Sequence, residues 1–87
     1  MPAVTLAIFA TLRPVVGADQ LDLEDVDTAE AALRHDARLW EAMVTEGELS
    51  PGVIVLVNGQ NIHHLQGLST PLQDGDRVSV FPAVGGG

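Results

Sequence analysis

An α+β fold, a mixed sheet of about five strands with one main helix on one face, is what the sequence predicts. Three observations lead there. Apolar residues alternate near both ends, in Val4-Thr5-Leu6-Ala7-Ile8-Phe9 and in Arg77-Val78-Ser79-Val80-Phe81. Helical spacing occurs in one stretch only, through Ala29, Ala32, Leu33, Ala37, Trp40, Met43 and Val44. Between them lies the apolar run Val53 to Val57, followed directly by the hairpin dipeptide Asn58-Gly59.

Taken in order, the first strand covers Val4 to Phe9, with Val4, Leu6 and Ile8 on one face and Thr5, Ala7 and Phe9 on the other. Arg13-Pro14-Val15-Val16-Gly17 breaks it, and Gln20-Leu21-Asp22-Leu23 is the returning hairpin strand. Six acids between Asp19 and Glu30 read as a solvated edge and helix approach. Asp27-Thr28-Ala29-Glu30 has capping-box spacing, with Asp27 or Thr28 as the cap. The helix runs from about Thr28, with a break allowed near Asp36, and ends before Gly47. Trp40 and Met43 read as core. Ser50-Pro51-Gly52 is a loop, and the apolar run after it reads as a strand buried on both sides or nearly so. Gln60-Asn61-Ile62 returns from the Asn58-Gly59 turn, with His63-His64 able to extend it. Thr70 to Asp76 is turn chemistry, and Pro82 ends the last strand. Setting the first and last strands side by side, parallel and central, gives a β-grasp. A ferredoxin-like arrangement needs a second helix, and no helical period follows residue 47.

Composition narrows the function. The chain has 87 residues, enough for one core, and is 46% hydrophobic but only 3% aromatic, so that core is aliphatic. It has no cysteine, which removes disulfides, thiolate metal sites and a cysteine nucleophile. Its formal charge of −8 repels phosphate and argues against nucleic acid and anionic membranes as partners. The Met1-Pro2 start shows no targeting segment, and no apolar stretch approaches membrane-spanning length, so a cytoplasmic protein is expected. All four basic residues are arginines: Arg13, Arg34, Arg38 and Arg77. Without lysine, the chain cannot accept an isopeptide bond on its own side chains, so in any conjugation it acts as donor. His63-His64 lacks the spacing of a zinc site, and Asp74-Gly75-Asp76 lacks the further oxygen ligands of a calcium loop. No metal site is expected.

The end of the chain, Phe81-Pro82-Ala83-Val84-Gly85-Gly86-Gly87, bears most on function. Gly-rich ends are commonly frayed termini. Here the domain is placed at 1–84 and a glycine tail at 85–87, extending roughly 10 Å beyond Val84 at about 3.3 Å per residue. Pro82, with its fixed φ, sets the direction of exit. Strand alternation puts Phe9 and Phe81 together on the sheet face that the helix does not cover, and Leu65 or Leu68 is positioned to complete the patch. Exposed aromatics beside a tail suit partner docking, unless the loop around Leu65 folds over them.

Phe9-Ala10-Thr11-Leu12-Arg13, Val57-Asn58-Gly59, Leu72-Gln73-Asp74-Gly75-Asp76-Arg77-Val78 and the C-terminal close resemble the ubiquitin-like sulfur carriers of the MoaD/ThiS type. Gly85 departs from the alanine or serine usual in the family, while the final glycine pair is intact. The resemblance implies that an E1-like enzyme, using ATP and Mg²⁺, adenylates the Gly87 carboxylate. Sulfur from a persulfide or sulfide then converts it to a thiocarboxylate that a biosynthetic enzyme accepts. Gly85 and Gly86 would be the access route, and Phe9, Phe81, Leu65, Leu68, Pro82 and Val84 the partner-facing set. The chain itself would bind no cofactor and catalyse nothing. Thr11-Leu12-Arg13-Pro14, Gly67-Leu68-Ser69-Thr70 and Pro82-Ala83-Val84 together look most like carriers serving cysteine or secondary-metabolite pathways. The small subunit of molybdopterin synthase, a modifier attached to lysines of other proteins, and an interaction module with incidental glycines are the alternatives.

Overall fold

A computed structural model describes residues 2–82, so Val84 and the glycines Gly85, Gly86 and Gly87 lie outside the described residues. The chain forms one mixed five-stranded sheet in the order β2-β1-β7-β5-β6. In it, β1 is Val4–Ile8, β2 Gln20–Leu23, β5 Ile54–Val57, β6 Gln60–Asn61 and β7 Arg77–Phe81. The first and last long strands are parallel neighbours at its centre, with Leu6 beside Val78 and Ile8 beside Val80. On the far side of β7, antiparallel β5 sets Val55 against Val80 and Val57 against Val78. Those residues all point to one face, where they are buried under the helices. The arrangement is a β-grasp.

Among the described residues there are three short α-helices: the expected helix is divided in two near Asp36, and a further one precedes β2. The first, α1 (Leu12–Val16), occupies the stretch expected only to break β1. Pro14 is tolerated there because a first-turn residue has no intrahelical use for an N–H. Leu12 and Val16, four apart, drop into the core. The long apolar period divides into α2 (Ala29–Arg34) and α3 (Ala37–Met43). Thr28 caps α2, its Oγ1 accepting from the Ala31 N–H at 3.1 Å. The Asp27 carbonyl accepts from the Leu72 N–H at 2.9 Å, tying the helix start to the segment before β7. Asp36 is extended and caps α3, one carboxylate oxygen accepting from Arg38 N (2.8 Å) and Leu39 N (3.2 Å). Leu33, Leu39 and Met43 are fully buried from the two segments, so the break preserves one apolar face.

Beyond α3 a small hairpin appears that the alternation did not reveal: β3 (Val44–Thr45) and β4 (Glu48–Leu49). Its turn, Glu46-Gly47, has positive φ at both residues, as a tight two-residue hairpin requires. His63 and His64 do not prolong β6. They belong to a 3₁₀ turn, Ile62–His64, whose Ile62 is buried, and a second 3₁₀ turn spans Gly67–Ser69. The expectation for β5 also changes. Val55 and Val57 are buried, but Ile54 is exposed and Leu56 half-buried, so this strand is covered on one face only. Among the described residues no helix is long and apolar enough to cross a membrane.

Candidate functional site

The uncovered face of the sheet is built row by row from the strand register. Past the end of β1 the Phe9 N–H donates to the Val80 carbonyl at 3.2 Å, continuing the ladder with β7. That bond sets Phe9 beside Phe81, and their rings stack with centroids 4.5 Å apart and planes 12° from parallel. Ala10, with φ of 53°, then turns the chain away into α1. Across β7, Ile54 is the register partner of Phe81, and Leu56 that of Ser79. The result is an apolar row, Phe9–Phe81–Ile54, with Leu56 beside it. It lies at the end of the sheet from which the chain leaves through Pro82, which is half-buried. The next row holds Gln20, the small residues Ala7 and Ser79, and Leu56, and the third Asp22, Thr5 and Arg77.

Both phenylalanines are half-buried, largely against each other, and the loop after β6 does not cross them. It runs to the helix side instead. The Ala29 N–H donates to the Thr70 carbonyl at 3.0 Å, and Thr28 bridges Pro71. Thr70, buried in that loop, is fully engaged: its Oγ1 donates to the Gly67 carbonyl (2.7 Å) and accepts from Gln66 N (3.1 Å). Leu68 packs against the core and lines, with Leu49, Ile62 and His63, an open cleft of about 370 Å³ beside the β3–β4 hairpin. Leu65 is exposed beyond the first 3₁₀ turn. The row is completed by Ile54 and Leu56, which the sequence reading placed in the core. The alternation inside Val53 to Val57 carried the signal, and only the register with β7 makes it legible.

The polar loop ahead of β7 is a clamp. Asp74 Oδ1 accepts from Ala3 N at 2.9 Å, while Asp76 accepts from Asn58 Nδ2 (2.9 Å) and Gln73 N (2.8 Å). Both carboxylates of Asp74-Gly75-Asp76 thus hold backbone and hairpin in place. Among the described residues no group of three His, Cys, Asp or Glu is gathered to hold a metal. Partial burial opposes ionisation of Asp36, but the Leu39 and Arg38 N–H groups and the Arg38 charge outweigh it and keep its carboxyl below the usual range. The four arginines divide. On the helix side Arg34 pairs with Glu30 at 2.8 Å and lies over the Trp40 ring at 4.1 Å, and Arg38 lies 3.5 Å from Asp36. Arg13 donates through Nε to the Ile8 carbonyl at 3.3 Å, fastening α1 to the end of β1. Arg77 is exposed on the open face.

The family model described as the ThiS family matches residues 6–87. Small archaeal modifier protein 3 of Haloferax volcanii is 41% identical over 88 residues, covering 94% of this chain and 96% of that protein. Sulfur carrier protein CysO of Mycobacterium bovis is 32% identical over 92 residues, covering 97% and 98%. Among solved structures, the Amycolatopsis orientalis BexX/CysO complex contains a chain that superposes with a TM-score of 0.82 at 28% identity, covering 98% of this chain and all of that one (100%).

Proposed function

The chain belongs to the ThiS family, and from that premise we propose that it is a sulfur carrier whose reactive group is the Gly87 carboxylate. A carboxylate is a poor electrophile because its charge repels the nucleophile and oxide leaves badly. An E1-like enzyme, using ATP and Mg²⁺, joins it to AMP and releases pyrophosphate. Sulfide then displaces AMP and leaves a thiocarboxylate. A protein persulfide attacks in the same way, giving an acyl disulfide that a second thiol cleaves to the same product. The sulfur is then a nucleophile held on a protein surface, delivered to a biosynthetic enzyme in the cytoplasm. Catalysis belongs to the partners, and the carrier contributes recognition and reach.

The observation that carries this reading is the stacked Phe9–Phe81 pair continued by Ile54, at the end of the sheet where the chain exits. A partner seated on that row would have the tail beside it. The test is intact-mass measurement after incubation with ATP, the E1-like enzyme of the same organism and a sulfur donor. Replacement of one oxygen by sulfur is expected, and deletion of Gly87 should abolish it with no change in melting temperature. An unchanged mass with an enzyme that activates its other carriers would refute the reading. One observation favours a second use: the 41% identical Haloferax protein is named a modifier. Conjugates on lysines of other proteins in the same assay would mark that use, with this lysine-free chain always the donor.

A further inference from the structure

The carrier reading explains the apolar end of the open face and leaves Arg77 at its other end without a task. In a chain of net charge −8, an arginine would be expected to meet one of the chain's own carboxylates. Arg34 and Arg38 do so on the helix side. Arg77, among the described residues, has no carboxylate within ion-pairing distance. Its neighbour Asp76 is held by Asn58 and Gln73, one oxygen each. Asp22 shares its row but stands on β2, two strands away and so about 10 Å distant. The fold depends on the backbone of Arg77, not its side chain: its N–H donates to Asn58 Oδ1 at 2.9 Å, and its carbonyl accepts from Asn58 N at 2.8 Å.

The face is therefore polar in a definite sense. Its tail end is aromatic and aliphatic, its middle is small at the centre (Ala7 and Ser79, between Gln20 and Leu56), and its far end carries an exposed cation four residues back along β7, about 13 Å from Phe81. A partner that places an apolar knob against the phenylalanine pair and covers the middle row must bring its own surface over Arg77. Covering that guanidinium without a counter-charge would strand a desolvated cation.

We propose that the activating enzyme seated on this face presents a carboxylate to Arg77, and that this ion pair fixes the register in which the tail enters. The proposal rests on the carrier reading and adds the chemistry of the partner's surface. A mismatch of register by one row would move the tail by several ångströms, so the pair acts as a positioning contact rather than a source of large affinity.

Titration calorimetry with the E1-like enzyme at low and moderate salt tests it, using the full chain and its Arg77→Gln, Arg77→Glu and Arg34→Gln variants. Arg77→Gln should bind about fivefold more weakly at low salt and lose part of the salt dependence, and Arg77→Glu should bind about fiftyfold more weakly. Arg34→Gln should bind as the parent chain does, with all melting temperatures close together. In thiocarboxylation assays Arg77→Gln should lower kcat as well as raise KM, because a tail held out of register reaches the adenylating site less often. Parent-like binding and salt dependence for both Arg77 variants would overturn the proposal while leaving the carrier reading intact. An Arg77-dependent dimer of the free chain in sedimentation would also overturn it, since the carboxylate would then be a second copy's. A parent chain that the enzyme neither binds nor activates would overturn both.

Discussion

Asn58 and Asp36 show how single side chains complete this fold. Asn58 takes φ of 51°, a left-handed conformation that asparagine tolerates better than most residues and that a two-residue hairpin requires. Its amide accepts from Arg77 N and donates to Asp76, so the turn between β5 and β6 also anchors the start of β7. The dipeptide announced a hairpin in the sequence. Its bond to a residue 19 positions away could not be read from local chemistry. Asp36 lies where the long helical period breaks, and there the sequence allowed an interruption without naming a cap. Replacing it with Ala should cost about 1 kcal/mol in urea denaturation at neutral pH, the usual loss for a helix cap. Its pKa in the folded state is depressed. Its charge-dependent contribution is therefore complete above the unfolded-state value, about 3.9, and disappears as pH falls through the lower folded value. The stability difference between parent and Asp36→Ala should accordingly shrink as the medium is acidified below about pH 4. A difference that stayed constant across that range would show that the ionised carboxylate is not what caps α3.

At the scale of elements, legibility followed length and periodicity. β1, β7 and the Asn58-Gly59 hairpin could be read because each repeats a pattern over several residues or uses a turn with few alternatives. The β3–β4 hairpin could not: two-residue strands have no alternation, and Glu46 at positive φ is an unusual turn residue. The 3₁₀ turns were hidden for the same reason, being one turn each, and the second is followed directly by the long-range ties of Thr70 to Ala29 and of Leu72 to Asp27. β5 was recognised as a strand but assigned the wrong burial, because a continuous apolar run is the mark of a strand covered on both sides. Here, among the described residues, nothing forms a second cover over Ile54 and Leu56. Ile54→Ser and Val55→Ala should consequently behave in opposite ways. Ile54 is 39% exposed, so its replacement should change stability by less than about 1 kcal/mol while weakening partner binding. Val55 is fully buried between β7 and the helices, and its truncation should cost roughly 2 kcal/mol. Thermal melts paired with binding measurements on the two variants separate these outcomes. A large loss of stability in Ile54→Ser would return β5 to the two-sided core.

For the whole molecule, the parallel pairing of β1 with β7 is what brings the aromatic pair to the edge from which the chain departs. Because both strands point the same way, Phe9 just past one and Phe81 at the end of the other come to a single edge, together with the departing chain. Burying the helix-covered face gives stability, and leaving the other face bare gives a surface that a partner can cover. The two functions can therefore be separated by mutation, and Phe9→Asp is the sharpest case. The ring is half-buried against Phe81, so the variant should lose the stacking contact, about 1 kcal/mol, and lower the melting temperature modestly. Thiocarboxylation should suffer far more, with kcat/KM down at least about tenfold, since a charge would replace an aromatic anchor at one end of the proposed docking row. Phe9→Leu should restore most of the activity, because it keeps apolar area without the stack. If Phe9→Asp instead unfolded the domain, the phenylalanine pair would belong to the core. If it folded and was loaded with sulfur at the parent rate, the partner would have to approach the tail from another side.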